Sequence, residues 1–151
     1  MRAATSSMSQ AVEGLPSKSM TRHLPTAARL LMGLVFFVFG LNGFLNFIPA
    51  PSNQPEGAMA FGMAMMKTGY LFPLLKGTEL LVGVLLLANR FVPLALALIA
   101  PVIVNIFMFH AFLAPAGIAI ALILLALELS LAWSFRAAYR PMLAMRATPR
   151  A

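Results

Sequence analysis

The stretch FPLLKGTELLVGVLLLANRF, residues 72–91, shows how this chain folds. It is long and apolar enough to cross a bilayer as a helix, because a hydrocarbon core about 30 Å thick takes about 20 helical residues. Pro73 falls where the first turn of a helix tolerates proline. Asn89 and Arg90 then turn the chain, and a new apolar run starts at Val92. Because the link is so short, the two helices must lie antiparallel.

Composition indicates an integral membrane protein. Of its 151 residues, 61% are hydrophobic and only 10% are charged, which is not the composition of a water-soluble domain. The chain has no cysteine, and this excludes disulfides, thiol relays and cysteine-held iron–sulfur clusters. The functions left open are those of a membrane protein without thiol chemistry.

Four apolar segments are long enough to be transmembrane helices. They are about 27–47, 71–88, 92–113 and 115–135. The prolines of IPAPSNQPEG, residues 48–57, end the first segment, and Pro101 should kink the third. We therefore predict an all-α membrane protein in which residues 25–135 form a four-transmembrane-helix antiparallel bundle.

The basic residues fall mainly on one side of this topology. Lys67 and Lys76 alone belong to the other side, and the side of the termini carries Arg2, Lys18, Arg22, Arg29, Arg90, Arg136, Arg140, Arg146 and Arg150. By the positive-inside rule, both termini are cytoplasmic. The net charge of +7 then reflects topology and anionic lipid headgroups, and we expect no nucleic-acid partner.

The two ends of the chain have a more polar composition than the bundle. Residues 1–24 are rich in serine and threonine and lack an apolar run, so we predict a flexible cytosolic arm and not a signal peptide. Residues 136–151 are predicted to be a basic cytosolic tail, which either continues the last helix or lies along the headgroups.

A short extra helix is predicted between the first two spans. One helical face there carries Met59, Met63, Met66 and Tyr70. Such an amphipathic helix would lie on the outer leaflet or roof the bundle. Clustered thioethers can bind Cu(I), but a methionine stripe is far more often a packing surface.

Polar side chains from three predicted spans fall at one depth, in the outer part of the bundle. They are Asn42, Asn46, Lys76, Glu79, Asn105 and His110. Because unpaired polar groups are costly in hydrocarbon, we predict that they wall an outward-opening polar pocket. The alternative is structural: Lys76 extends to the interface, and Glu79 pairs with it as a contact between helices.

The third span limits what this pocket can hold. Asn105 and His110 lie about 140° apart around an ideal helix, so both face inward only if the Pro101 kink or a wide bundle allows it. The other histidine, His23, lies in the predicted arm, which excludes a haem with two histidine ligands from one chain. We predict no metal site and no covalently bound cofactor. A quinone would suit the pocket, with Glu79 or His110 as proton carrier.

The fourth span carries one acidic residue, Glu128, about 10 Å from the inner boundary. The arginines nearest to that level are Arg29, Arg90 and Arg136. We predict a structural ion pair between Glu128 and one of them; the alternative is that Glu128 stays protonated.

Short motifs in the first two spans resemble one family of bacterial membrane proteins. They are FVFGLNGFLNFIP and LLKGTELLVGVLLLANR, followed by a histidine late in the third span. These motifs are similar to those of the DoxX and DoxX-like family of small four-helix proteins, over roughly residues 30–131. The matching positions are Gly40, Gly43, Glu79, Gly83, Arg90 and His110. Many members carry a lysine shortly after the helix-one glycine, where this chain has Asn42 and Gly43.

The resemblance implies the bacterial cytoplasmic (inner) membrane and a redox setting, since the family includes a membrane subunit of thiosulfate:quinone oxidoreductase. The first function that we consider is a cofactor-free subunit of a redox or respiratory-type complex, with a quinone or lipid near Glu79. The second is a purely structural or assembly subunit, in which Gly33, Gly40 and Gly43 allow close helix packing. The third is a small transporter or channel that self-associates. No nucleophile, base and orienting group can be assembled, so a stand-alone enzyme is not expected.

Overall fold

The computed structural model of the chain describes residues 18–49, 51 and 53–145. The regular structure within these residues is entirely helical and comprises α1 (Lys18–Leu45), α2 (Glu56–Lys67), α3 (Leu71–Leu87), α4 (Val92–Phe112), a 3-10 turn (Pro115–Gly117), α5 (Ile118–Ser134) and α6 (Arg136–Tyr139). The predicted all-helical architecture is confirmed. Most of the predicted arm and the end of the predicted tail, residues 1–17 and 146–151, lie outside the described residues.

Three helical segments are long and apolar enough to cross a membrane: His23–Leu45, Val92–Phe112 and Pro115–Ser134. With 17 residues, α3 is shorter, but α2 and α3 together form a bent pair that is a fourth candidate. The two helices of this pair meet at 94°. The structure therefore has three to four candidate membrane-spanning helices, as expected of a membrane protein.

The helices follow the predicted segments closely, except at the start of α1. Turn residues fix the limits between α3 and α4, where Asn89 adopts a left-handed φ of 54°. α1 begins at Lys18, inside the stretch that we predicted to be an arm. Pro25 lies within this helix, where it removes the hydrogen bond of its own nitrogen and its ring crowds the carbonyl one turn earlier, yet the helix is not interrupted. The helix therefore continues through the proline.

α1 and α3 pack closely against each other through glycines. A Cβ at Gly40 would lie 2.5 Å from the backbone nitrogen of Leu80, so a larger residue does not fit unless a helix moves. Gly83 of α3 packs in the same way against the backbone of α1, and Gly33 lies against Leu86. Successive glycines of α1 contact residues of α3 with lower and lower sequence numbers, from Leu86 at Gly33 to Lys76 at Gly43. The two helices are therefore antiparallel. We call this contact the α1–α3 seam.

The hydrophobic core lies among α1, α3, α4 and α5. Its largest fully buried side chains are Phe36, Met32, Leu86, Leu96, Ile99, Ile103, Leu131 and Val82. The outward faces of the same helices carry exposed apolar side chains such as Leu94, Val104 and Ile123. Large apolar surfaces of this kind suit lipid better than water.

The two ends of the bundle differ in charge and in their connections. At the end that we call the basic end, Arg90 lies in the turn between α3 and α4, and Arg136 follows α5. Arg29 of α1 belongs to the same end, because its guanidinium donates to the carbonyl oxygens of Leu86 and Leu87. At the opposite end, the α2 end, lie α2 and the link between α4 and α5.

The short extra helix between α1 and α3 is present as α2. Its Ala58 is buried, and its Phe61 ring contacts the ring of Phe109 on α4, with centroids 5.8 Å apart. The predicted stripe of Met59, Met63, Met66 and Tyr70 is exposed. α2 thus packs on the bundle through one face and presents its methionines on another.

Candidate functional site

A cavity of about 560 Å³ opens among the helices at the α2 end. The polar part of its lining consists of Asn53, Gln54, Lys76, Glu79 and His110, and its apolar part includes Phe36, Phe39, Ile106, Phe109 and Leu124. α1, α3, α4, α5 and the loop before α2 all contribute to it. We call it the Lys76 cavity.

A partly buried ion pair lies in the wall of this cavity. The Lys76 Nζ donates to the Glu79 Oε2 at 2.8 Å, and the two residues are one helical turn apart on α3. Glu79 is only 4% exposed. The carboxylate is therefore removed from water and depends on the lysine for compensation of its charge, whereas the Lys76 side chain is 19% exposed. The Lys76 ammonium also lies 5.9 Å from the centroid of the Phe72 ring.

Gly43 of α1 holds the stem of Lys76 in place. A Cβ at position 43 would lie 2.6 Å from the Lys76 Cδ and 2.8 Å from its Cβ. The lysine stem thus crosses α1 where only a hydrogen is present on the neighbouring helix. The resemblance to DoxX-like proteins marked this glycine, but the sequence did not connect it with Lys76.

His110 is oriented by the link between α4 and α5. Its Nδ1 lies 2.9 Å from the carbonyl oxygen of Ala114, and this oxygen can only accept. In the neutral ring, Nδ1 therefore carries the proton and Nε2 is free to accept one. The ring lies against Gly117, where a Cβ would be 2.9 Å from Nε2, and edge-on to Phe109.

The three asparagines of the predicted pocket do not line the Lys76 cavity. Asn42 accepts a hydrogen bond from the Ile48 nitrogen at 2.6 Å and donates to the Ile48 oxygen at 3.3 Å, which closes the end of α1. Asn46 is exposed and has a left-handed φ of 50°, a helix-terminating geometry that asparagine tolerates. Asn105 is exposed on another face of α4, beside a smaller cavity of about 270 Å³. Of the six residues predicted for the pocket, three line the Lys76 cavity: Lys76, Glu79 and His110.

Sequence reasoning missed the contribution of the loop before α2. Asn53 and Gln54 line the Lys76 cavity, although they belong to a proline-rich link and not to a span. No pattern in the sequence marks them, because a loop that returns over a bundle has no periodicity.

Glu128 lies in the core towards the basic end and is 6% exposed. Its Oε2 has no hydrogen-bond partner among the described residues. None of the three predicted arginines forms an ion pair with it in this part of the chain. Arg29 instead caps carbonyls at the end of α3, and Arg136 donates to the Trp133 oxygen at 3.0 Å. Helix-end carbonyls attract guanidinium groups, and both arginines are engaged there.

Tyr139 closes the basic end beside Glu128. Its hydroxyl donates to the carbonyl oxygen of Pro93 at 3.0 Å and so ties α6 to the start of α4. Burial raises the pKa of Tyr139 above its ordinary value. The hydroxyl therefore stays protonated and remains a donor.

Within the described residues, no three histidine, aspartate or glutamate side chains gather closely enough to hold a metal ion. Comparisons of the chain with protein-family models, with curated proteins and with solved structures found no match. The resemblance to DoxX-like proteins therefore stays a prediction from the sequence.

Proposed function

We propose that this protein binds a membrane-dissolved quinone in the Lys76 cavity, as a cofactor-free subunit of a bacterial inner-membrane redox complex. One observation carries the proposal: a mostly apolar cavity holds an ion pair and an oriented histidine in its wall. A quinone has the matching form, with a flat apolar ring and two carbonyl oxygens.

The chemistry of the lining supports a ligand of this class. The cavity volume of about 560 Å³ lies within the usual range of about 300–1,000 Å³ for small-molecule sites. Phe36, Phe39 and Phe109 provide aromatic surface for a ring. The Lys76 ammonium can donate to a carbonyl oxygen, and the His110 Nε2 can accept from the hydroxyl of a reduced quinone. An isoprenoid tail would leave between the helices into lipid.

A four-span topology accompanies the proposal. In it, α3 spans the membrane beside α1, both termini are cytoplasmic, and the basic end faces the cytosol. Two observations support this topology. At the α1–α3 seam, α3 packs along a helix that is long enough to span a membrane. The arginines lie at the basic end, as the positive-inside rule expects of a cytosolic side. α2, bent by 94° from α3, then lies in the plane of the outer interface.

The partner in this proposal supplies the electrons. The chain has no cysteine to bind an iron–sulfur cluster, so a quinone in the Lys76 cavity would exchange electrons with the cofactor of another subunit. The resemblance to a family with a member in a quinone-linked oxidoreductase supports the same assignment.

The test is ligand retention. The tagged protein is purified in mild detergent, its organic extract is analysed by mass spectrometry, and Glu79→Gln and His110→Gln are compared with wild type. We expect about ten-fold less quinone with either variant, which corresponds to a loss of about 1.4 kcal/mol in affinity. Asn105→Ala is the matched control, because Asn105 lies outside the cavity, and it should retain as much quinone as wild type. Equal retention by all four proteins, or none by wild type, would refute the proposal.

A structural or assembly subunit is the second candidate. The exposed methionine face of α2 is an apolar surface on which a neighbouring subunit could pack. The glycines of α1 do not add support, since they are used within the chain at the α1–α3 seam. Identical co-purifying proteins with wild type and variants, in the absence of quinone, would favour this candidate. Nothing in the geometry favours a transporter or channel.

A further inference from the structure

Glu128 is a buried acidic residue that has no role in the quinone binding proposed above. It is 6% exposed, and its Oε2 has no partner among the described residues. A carboxylate in such a place would be an uncompensated charge, which proteins avoid by pairing or by protonation.

The groups that surround Glu128 do not compensate a negative charge. On α1, residues 28–36 include one titratable side chain, Arg29, which is engaged with the Leu86 and Leu87 carbonyls. On α3, residues 80–87 include none, and on α4, residues 92–103 include none. From α6, the Tyr139 hydroxyl donates to Pro93.

Glu128 also lies directly beyond the Lys76 cavity. Leu124 lines the cavity, and both Leu124 and Glu128 are on the buried face of α5. They are one helical turn apart, which is about 6 Å along the axis. The carboxyl therefore lies between the cavity and the basic end, where α6 and Tyr139 close the bundle.

We propose that Glu128 is a proton-binding site that exchanges its proton with the Lys76 cavity. The proton comes from water at the basic end and forms an O–H bond on the carboxyl. That bond breaks when the proton passes Leu124 to the His110 Nε2, which lies in the cavity wall and is free to accept it. The carboxyl returns to its starting state when it takes the next proton from the basic end. Binding of a ligand that takes up a proton in the cavity is then linked to pH at the opposite end.

This inference uses the position of the cavity but not the identity of its ligand. Its tests are made on the full chain, without added quinone, in vesicles of ether-linked phosphatidylcholine, because these lipids have no ester carbonyl that would absorb where a protonated carboxyl does. The proposed quinone site and the proton site can therefore fail independently.

The first test is infrared spectroscopy of the C=O stretch of protonated carboxylic acids at neutral pH. We expect the band in wild type and its loss in Glu128→Gln. Glu79→Gln is the matched control and should keep the band, because the Glu79 carboxyl forms an ion pair with Lys76. A wild-type spectrum without the band, or a band that survives in Glu128→Gln, would overturn the proposal.

A second measurement needs no variant. Dicyclohexylcarbodiimide reacts with protonated carboxyl groups in apolar surroundings, and the modified residue is located by mass spectrometry of peptides. We expect the adduct on Glu128 and at least ten-fold less on Glu79. Equal labelling of both residues, or no label on Glu128, would contradict a protonated Glu128.

The link to the cavity is tested by Leu124→Ala. Removal of this side chain opens the cavity towards Glu128, so that water stabilises the carboxylate and the infrared band falls. Leu122→Ala is the control, because Leu122 is on the exposed face of α5 and its loss should leave the band unchanged. An unchanged band in Leu124→Ala would show that the cavity and Glu128 are not connected.

Discussion

Glu79 and Glu128 are equally removed from solvent, yet their surroundings are opposite. Glu79 has a lysine at 2.8 Å on its own helix, whereas Glu128 has no cation within bonding distance among the described residues. Burial alone therefore does not determine what a carboxyl does. A paired carboxylate fixes a charge at the α2 end, and an unpaired carboxyl at the other end is suited to carry a proton.

The largest effect is expected when Glu79 is made to resemble Glu128. Lys76→Met leaves the Glu79 carboxylate buried without its partner, and we expect a loss of about 3 kcal/mol in the free energy of unfolding. The measurement is denaturant-induced unfolding in detergent. Lys67→Met, at an exposed lysine, should leave the stability unchanged, and Lys76→Met combined with Glu79→Gln should recover most of the loss. No loss with Lys76→Met would mean that the ion pair does not hold this end together.

A smaller effect should follow from moving the lysine without removing it. In Gly43→Ala, the new methyl group collides with the Lys76 stem, so either the lysine leaves Glu79 or the helices separate. We expect a loss of about 2 kcal/mol, as for an overpacked interior, read by the same unfolding assay. Gly77→Ala is the control, because the described chain places nothing within 4 Å of a Cβ there. Equal stability of the two variants would show that the seam can relax around Gly43.

Arg29 is expected to stabilise the end of α3 and not to form an ion pair with Glu128. Arg29→Met removes hydrogen bonds to carbonyls of α3, and we expect a loss of about 1.5 kcal/mol. The infrared band of Glu128 should not change, because the guanidinium does not pair with the carboxyl. Arg90→Met, at an exposed arginine, should affect neither. A band that grows in Arg29→Met would restore the ion pair expected from the sequence.

The smallest effect is expected for Glu128→Gln. One neutral, unpaired group replaces another of the same size, so the stability at neutral pH should change by less than about 0.5 kcal/mol. The comparison variant is Glu79→Gln, which breaks a charged pair and should cost more. A large loss of stability in Glu128→Gln would mean that the carboxyl is ionised and has a partner.

The sequence predicted the helices better than the site, for physical reasons. Hydrophobic runs and turn residues such as Asn89 mark where helices end, and these are local features. The pairing of Lys76 with Glu79 was also predictable, since both residues lie on one helix. Asn42 was expected in the pocket, but its amide satisfies the backbone at Ile48, a competing partner that periodicity does not reveal.

The same limits apply at the basic end. Depth along the bundle suggested Arg29 as a partner of Glu128, but depth does not show that helix-end carbonyls compete for the guanidinium. The start of α1 within the expected arm has a similar origin. Composition there suggested flexibility, although a helix can continue through Pro25 once the rest of it has formed.

The α1–α3 seam has a consequence for how the protein is made. The glycines of α1 face a helix that is synthesised only after the loop and α2, so α1 reaches the membrane before its packing partner exists. Until residues up to Leu87 have left the ribosome, the small-residue groove of α1 is open to lipid or to other chains. We expect the first half of the protein to integrate as one unit, and α4 and α5 to join a pair of helices that is already closed.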